Sequence, residues 1–219
     1  MRAYLQTTAN ISLLPFNYQH QLTGALHKWL GINGYHDSLS LYSFSWLSGS
    51  QVQTGGLNFP KGATWFISSY DIEFIKLLIK GIKEDPTLAY GMSISSIVLQ
   101  ETPSFGNRNV FSPASPVFIK RNVGGSDKFF FFNDEDSSKY LTETLSNKLR
   151  KIGVEDNSLL VYFDRTQPDR IRTKKISYKG IDLKGSYCPI IIEGQPSSLS
   201  FAWDVGLGNS TGIGFGSLK

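Results

Sequence analysis

The chain has three histidines, at positions 20, 27 and 36. An imidazole with its ordinary pKa near 6.5 can accept a proton in one step and return it in the next at neutral pH. Two of them within reach of each other therefore suit general acid–base chemistry. Scission of RNA without a metal is one such reaction: one group takes the 2′-hydroxyl proton and another protonates the leaving 5′-oxygen. His27 lies on a stretch with helical periodicity whose apolar stripe, Leu22, Leu26 and Trp29, faces elsewhere, and His20 stands two turns earlier on the same side as His27. His36 follows within Gly34-Tyr35-His36-Asp37, near enough along the chain to approach His27 without a long-range assumption. Exposed surface histidines of no catalytic consequence are the plain alternative.

Two further clusters could hold a polyanion. Residues 165–184 carry seven Lys or Arg against two acids, a local balance of +5. Arg170, Arg172 and Lys174 alternate, which on a strand places three cations on one face at a spacing that can follow phosphates, with Lys175 beside them. A solvated hairpin that blunts a sheet edge with lysines would look the same. Residues 206–216 hold five glycines in eleven positions, at 206, 208, 212, 214 and 216. A backbone this bare can approach another closely or turn its amides toward a phosphate. It is not a P-loop, because no Lys precedes a Ser or Thr and the run follows its helix rather than opening one. A structural turn is the competing reading.

The elements that must position these residues read in two rounds. A strand over 2–12 and a helix from about 18, stopped by Gly31 and Gly34, are followed by a two-residue alternation over 41–47 and a returning strand over 63–68, with one long turn at Gly55 and Gly56 between them. Residues 71–83 form the clearest helix, with Ile75, Leu78, Ile79 and Ile82 on one side, and residues 92–99 a strand. Strand, helix, strand, strand, helix, strand is the split βαβ ferredoxin-like unit. After the turn-rich run 102–116 the second round is predicted to open with a strand over 117–120, then a strand over 128–132. A helix with Leu141, Leu145, Leu149 and Ile152 inward follows, with Asp134, Glu135 and Asp136 at its positive end. Strands over 159–164, 171–178 and 188–193, a helix from Pro196 that buries Leu199, Ala202 and Trp203, the glycine run and a final strand complete it. The expected class is α+β, with tandem ferredoxin-like (RRM-like) βαββαβ halves at 1–102 and 103–219. Each half is an antiparallel sheet with helices on one face, and a groove lies where the halves meet.

Composition narrows the function classes. With 219 residues and 40% apolar content the chain can bury a real core, and no stretch approaches the roughly 20 apolar residues of a membrane helix, so a cytoplasmic protein is expected. Cys188 is the single cysteine, which excludes an intrachain disulfide and a cysteine-based metal site, and no metal or other cofactor is expected. A net charge of +4 and a pI near 9.0 give a modest signal for a polyanionic partner.

The clusters, in this order, resemble the CRISPR repeat-processing endoribonuclease family of the RAMP superfamily. That family ends in a glycine–hydrophobic–glycine triplet, five residues, and the triplet again; Gly206-Leu207-Gly208 and Gly214-Phe215-Gly216, with 209–213 between, satisfy this. Asn17-Tyr18-Gln19-His20-Gln21-Leu22 opening a helix, a histidine after it, and Leu41-Tyr42-Ser43-Phe44-Ser45 as the next strand also look like the family pattern. The resemblance implies a CRISPR repeat RNA substrate (pre-crRNA) and metal-independent cleavage by 2′-hydroxyl attack, leaving a 2′,3′-cyclic phosphate and a 5′-hydroxyl. It makes His36 the first choice for general acid or base, with His27, at a position where some members carry tyrosine, as the second group. RNA contacts would fall to Lys28, Arg170, Arg172, Lys174, Lys175, Gly206, Gly208, Asn209, Ser210, Gly214 and Gly216. Other CRISPR effector subunits and a homodimer are left open as partners. Two positions depart from the pattern: Ser40 stands where several members have a lysine, and 209–213 lacks the usual Lys or Arg. A RAMP-type subunit that holds CRISPR RNA without cutting it is the main rival reading, and an ordinary ferredoxin-like domain the second.

Overall fold

A computed structural model describes residues 1–31 and 39–219; His36 lies outside the described residues. β1 (Arg2–Thr7) leads into α1 (Gln19–Leu30), which ends at Gly31, where φ is +68° and the backbone N–H donates to the His27 carbonyl. The positive φ that closes the helix, with ψ at −159°, is one glycine adopts at little cost. β2 (Tyr42–Phe44), a hairpin of β3 (Gln51–Gln53) and β4 (Gly56–Asn58), β5 (Thr64–Ser69), α2 (Ile72–Glu84) and β6 (Ile94–Gln100) follow. Asp71 caps α2 by accepting from the Glu73 N–H at 2.9 Å, and Phe74, Ile75, Leu78 and Ile82 supply its buried stripe. The sheet runs β2-β5-β1-β6, antiparallel throughout, and both helices cover one face over a core that includes Leu5, Leu26, Trp65 and Leu78. The helices touch closely at Gly81, where a Cβ would lie 1.9 Å from the Trp29 carbonyl oxygen.

The second half repeats the order with two hairpins inserted. β7 (Arg108–Phe111) is followed by the hairpin β8 (Ile119–Val123) and β9 (Ser126–Phe130), α3 (Ser137–Lys151) and β10 (Leu160–Phe163). The hairpin β11 (Arg172–Tyr178) and β12 (Ile181–Tyr187), β13 (Ile190–Glu193) and α4 (Pro196–Val205) complete it. The sheet is β10-β13-β7, and the chain end runs beside the residues after β7 through an isolated bridge between Pro113 and Leu218: Ser112 and Lys219 exchange backbone bonds of 2.9 and 2.8 Å, and the Ala114 N–H donates to the Ser217 carbonyl. Both halves are thus ferredoxin-like, each built over its own core.

Three expectations need correction. The second half opens with β7, inside the run read as turns, because its four residues carry too little alternation to outweigh the flanking Pro, Gly and Asn. Residues 117–120 instead begin the β8–β9 hairpin arm. The turn at Gly55 and Gly56 is the tip of the β3–β4 hairpin.

The alternation in β2 does not mean one wet face. Tyr42, Ser43 and Phe44 are all buried, since the second half covers the far side and Ser43 Oγ donates to the Asp204 carbonyl of α4. Arg2, 1% exposed, seals the junction: its guanidinium lies 3.8 Å from the Phe66 ring centroid and 3.4 Å from that of Trp203, and donates to Ser68 Oγ and to the Trp203 and Leu218 carbonyls. Among the described residues no helix is long and apolar enough to cross a membrane.

Candidate nucleic-acid interface

The glycine run leaves α4 at Gly206 and doubles back through a 3₁₀ turn at Thr211–Ile213 to the chain end. Its glycines are buried. A Cβ on Gly206 would meet the Gly216 carbonyl at 2.7 Å, one on Gly208 the Phe118 carbonyl at 2.5 Å, one on Gly214 the Phe44 ring at 2.7 Å, and one on Gly216 the Leu207 carbonyl at 1.8 Å. Close packing against the protein itself thus accounts for Gly206, Gly208, Gly214 and Gly216, and the loop presents outward Ser210, exposed, and Asn209, half-buried. Asn209 anchors it: its N–H donates to the Phe118 carbonyl (2.7 Å), and its Oδ1 accepts from the Lys120 N–H (2.9 Å) and from Arg121 (3.1 Å).

The 3₁₀ turn sits against the start of β2. A Cβ on Gly212 would lie 2.5 Å from Ser40 Oγ and 2.9 Å from the Tyr42 hydroxyl, so the loop meets the first half at the start of β2; His36 stands four residues before Ser40 in the sequence, outside the described residues. Burial pushes the Tyr42 phenol above its ordinary range. From the other side comes α1. His20 donates through Nδ1 to the Asn17 carbonyl (3.0 Å) and meets the Tyr178 ring edge-on at 6.5 Å, while Asn17 Oδ1 accepts from the Ser177 N–H (3.1 Å). Thr23, buried, is hydrogen-bonded to Tyr178, and His27 lies one turn beyond it on the same stripe, half-buried. Through His20 and Thr23 this side of α1 meets Tyr178 of the β11–β12 hairpin. The structure therefore brings together α1, the start of β2, the glycine loop and the tip of the basic hairpin.

The cations are arranged differently from the sequence reading. Arg170 ends a 3₁₀ turn (Pro168–Arg170) ahead of β11, so the three alternating cations do not share one strand; its guanidinium donates to Gln167 Oε1 and Ser112 Oγ. Arg172 opens β11 and lies over the Tyr187 ring at 4.8 Å. Lys174 is exposed, and Lys175 pairs with Asp182 at 2.6 Å across the hairpin. Lys28 is turned toward the end of α2, donating to Asp85 Oδ2 (2.8 Å) and to Thr87. That contact, with the Thr87 hydrogen bonds, holds the Asp85 carboxyl well below the usual carboxylate range.

One residue at the site escaped the sequence reading. Lys148 of α3, 1% exposed, donates to the Val205 carbonyl (2.9 Å), the Gly206 carbonyl (3.4 Å) and Thr211 Oγ1 (3.0 Å). It caps the negative end of α4 and holds the glycine loop, and burial lowers its pKa to about 7. The signal was present: 148 follows Leu145 by three and precedes Leu149, so a lysine stood inside an apolar stripe.

Residues 99–219 match the family model described as CRISPR associated protein Cas6, C-terminal. A putative CRISPR-associated endoribonuclease-like protein Cas6 from Pyrococcus furiosus is 24% identical over 168 residues, covering 70% of this chain and 66% of that relative. A CRISPR-associated endoribonuclease Cas6 from Methanocaldococcus jannaschii is 22% identical, covering 95% of this chain and 88% of the relative. A solved structure described as a RAMP protein binding different RNA substrates shares the fold with a TM-score of 0.85 at 18% identity, over 100% of this chain and 98% of that one. A model matched across more than half of the chain, in the half that holds the glycine loop, shows that the chain belongs to the Cas6 family of CRISPR-associated proteins.

Proposed function

We propose that this chain is an endoribonuclease that binds CRISPR repeat RNA and cuts precursor transcripts without a metal. The ribose 2′-hydroxyl attacks its own phosphate, the bond to the 5′-oxygen breaks, and the products carry a 2′,3′-cyclic phosphate and a 5′-hydroxyl. His36 takes or returns the proton, and His27 serves as the second proton-transfer or positioning group. Arg170, Lys174 and Lys175 bind phosphates, Arg172 contacts the bound strand beside them, and Asn209 and Ser210 contact the strand where the glycine loop surfaces. In this reading 1–102 supplies the histidines and 103–219 the basic hairpin and loop.

The observation that carries it is the meeting of Gly212 with Ser40 and Tyr42, which sets the glycine loop against the start of β2, where Ser40 follows His36 by four residues in the sequence, with α1 packed against the same 3₁₀ turn. Because Lys28 is engaged by Asp85, Lys174 is the better source of the charge that Ser40 lacks. The test is incubation of end-labelled repeat RNA with the protein in EDTA. Cleavage to a cyclic-phosphate product is expected. A gel shift with no cleavage would replace this reading by that of a RAMP-type RNA-binding subunit, the alternative that Ser40 favours.

A further inference from the structure

A concavity opens where the halves meet, lined by neither the glycine run nor the start of β2. It measures about 410 Å³ and is lined from the first half by residues 46–48 and from the second by Arg170, Arg172 and Tyr187 among others, with Asp169 the one acid. We propose that this pocket holds one unstacked nucleobase of the bound RNA, an inference that rests on the RNA-binding reading above.

Its walls are those a base needs. The Trp46 indole meets Tyr187 edge-on, with centroids 5.9 Å apart and planes at 86°, and its Nε1 donates to the Gly214 carbonyl at 2.7 Å, so the ring is fixed to the glycine loop. Arg172 stacks on Tyr187 at 4.8 Å, yet makes no ion pair among the described residues, which leaves its planar donor fork unused. Its neighbour Arg170 is held by Ser112 and Gln167. Aromatic and guanidinium surfaces stack on any base face, and the volume suits a single nucleoside. A duplex could not enter. Trp46 lies six residues beyond Ser40 along an extended segment, at most about 20 Å at ~3.3 Å per residue. A base held here would therefore anchor the strand a few nucleotides from the phosphate beside the His36 segment.

The test is a cycle between protein and RNA. Affinity for fluorescein-labelled repeat RNA is measured for the wild type, Arg172→Gln and Tyr187→Leu, each with the intact repeat and with repeats carrying one abasic nucleotide at successive positions. Thermal unfolding confirms that the variants fold; Arg172 is exposed, so Arg172→Gln keeps the test valid if Tyr187→Leu does not. Each variant is expected to bind the intact repeat roughly tenfold more weakly. One abasic position should weaken the wild type equally and cost Arg172→Gln nothing further, because the same contact is already gone. An Arg172 that touches only phosphate would give additive losses at every position, and that result, or wild-type binding by both variants, overturns the pocket alone. Failure of the wild type to bind repeat RNA overturns the RNA reading and the pocket with it.

Discussion

At the scale of single residues, the loop is held by groups that tolerate little change. Lys148 has a folded-state pKa near 7 against an ordinary 10.5, so between those values the unfolded chain binds more protons than the folded one. Stability should therefore rise as pH increases from about 7 toward 10.5, and be insensitive to this group below 7, where both states are charged. Lys148→Met removes that rise but strands the Val205 and Gly206 carbonyls. It should cost about 1–3 kcal/mol at pH 9, read by urea unfolding, and flatten the pH profile. A Lys148→Met variant whose stability still climbs over that interval would show that another group titrates. The glycines divide likewise. At Gly216 φ is +66° and a Cβ would strike the Leu207 backbone, so Gly216→Ala should cost about 3 kcal/mol or more in the same assay. Gly212→Ala meets side-chain atoms of Ser40 and Tyr42 rather than backbone and needs no positive φ, so it should be milder, though Tyr42 is buried and stacked on Phe74. Equal losses at the two positions would contradict the packing described.

At the scale of elements, the β11–β12 hairpin is the strongest cationic feature, and its ladder shows which charges are spoken for. Lys175 is paired with Asp182, whereas Lys174, opposite Gly185, is exposed without an ion pair among the described residues. Lys174→Gln should weaken repeat-RNA binding at every sequence tested and lower the slope of log affinity against log salt by about 1 in magnitude, measured by fluorescence anisotropy across a salt series. An unchanged slope would remove Lys174 from the phosphate track. The elements that were legible in the sequence were those with long, regular periodicity: α1, α2 and α3 bury most of the side chains their spacing marked, whereas Ile79 of α2 and Ile152, which caps α3, are only partly buried. β7 was not, because four residues among turn formers carry almost no period, and its identity comes from its partner β13. The glycine loop was visible as a motif, but its use as packing against β2 and β8 depends on contacts between distant segments that no local pattern encodes.

At the scale of the molecule, two ferredoxin-like halves are joined by a buried charge. Arg2 is sandwiched between a ring from each half and bonded to Ser68 on one side and to the Trp203 and Leu218 carbonyls on the other; burial lowers its pKa to about 10, so it remains a cation at neutral pH. Arg2→Met should destabilise the protein by about 3 kcal/mol and make unfolding monitored by Trp203 and Trp29, one in each half, lose its coincidence. Arg2→Lys should not rescue it, since an ammonium cannot stack between two rings while reaching three acceptors. Coincident unfolding in Arg2→Met would locate the coupling between halves elsewhere. That coupling matters because the histidines of the proposed nuclease belong to the first half of the chain and its basic hairpin to the second. The direct test is single-turnover cleavage of labelled repeat RNA in EDTA by His36→Ala beside the wild type, with binding measured on the same samples. The account predicts that cleavage is abolished while affinity stays nearly unchanged. A His36→Ala protein that cuts at the wild-type rate would contradict it.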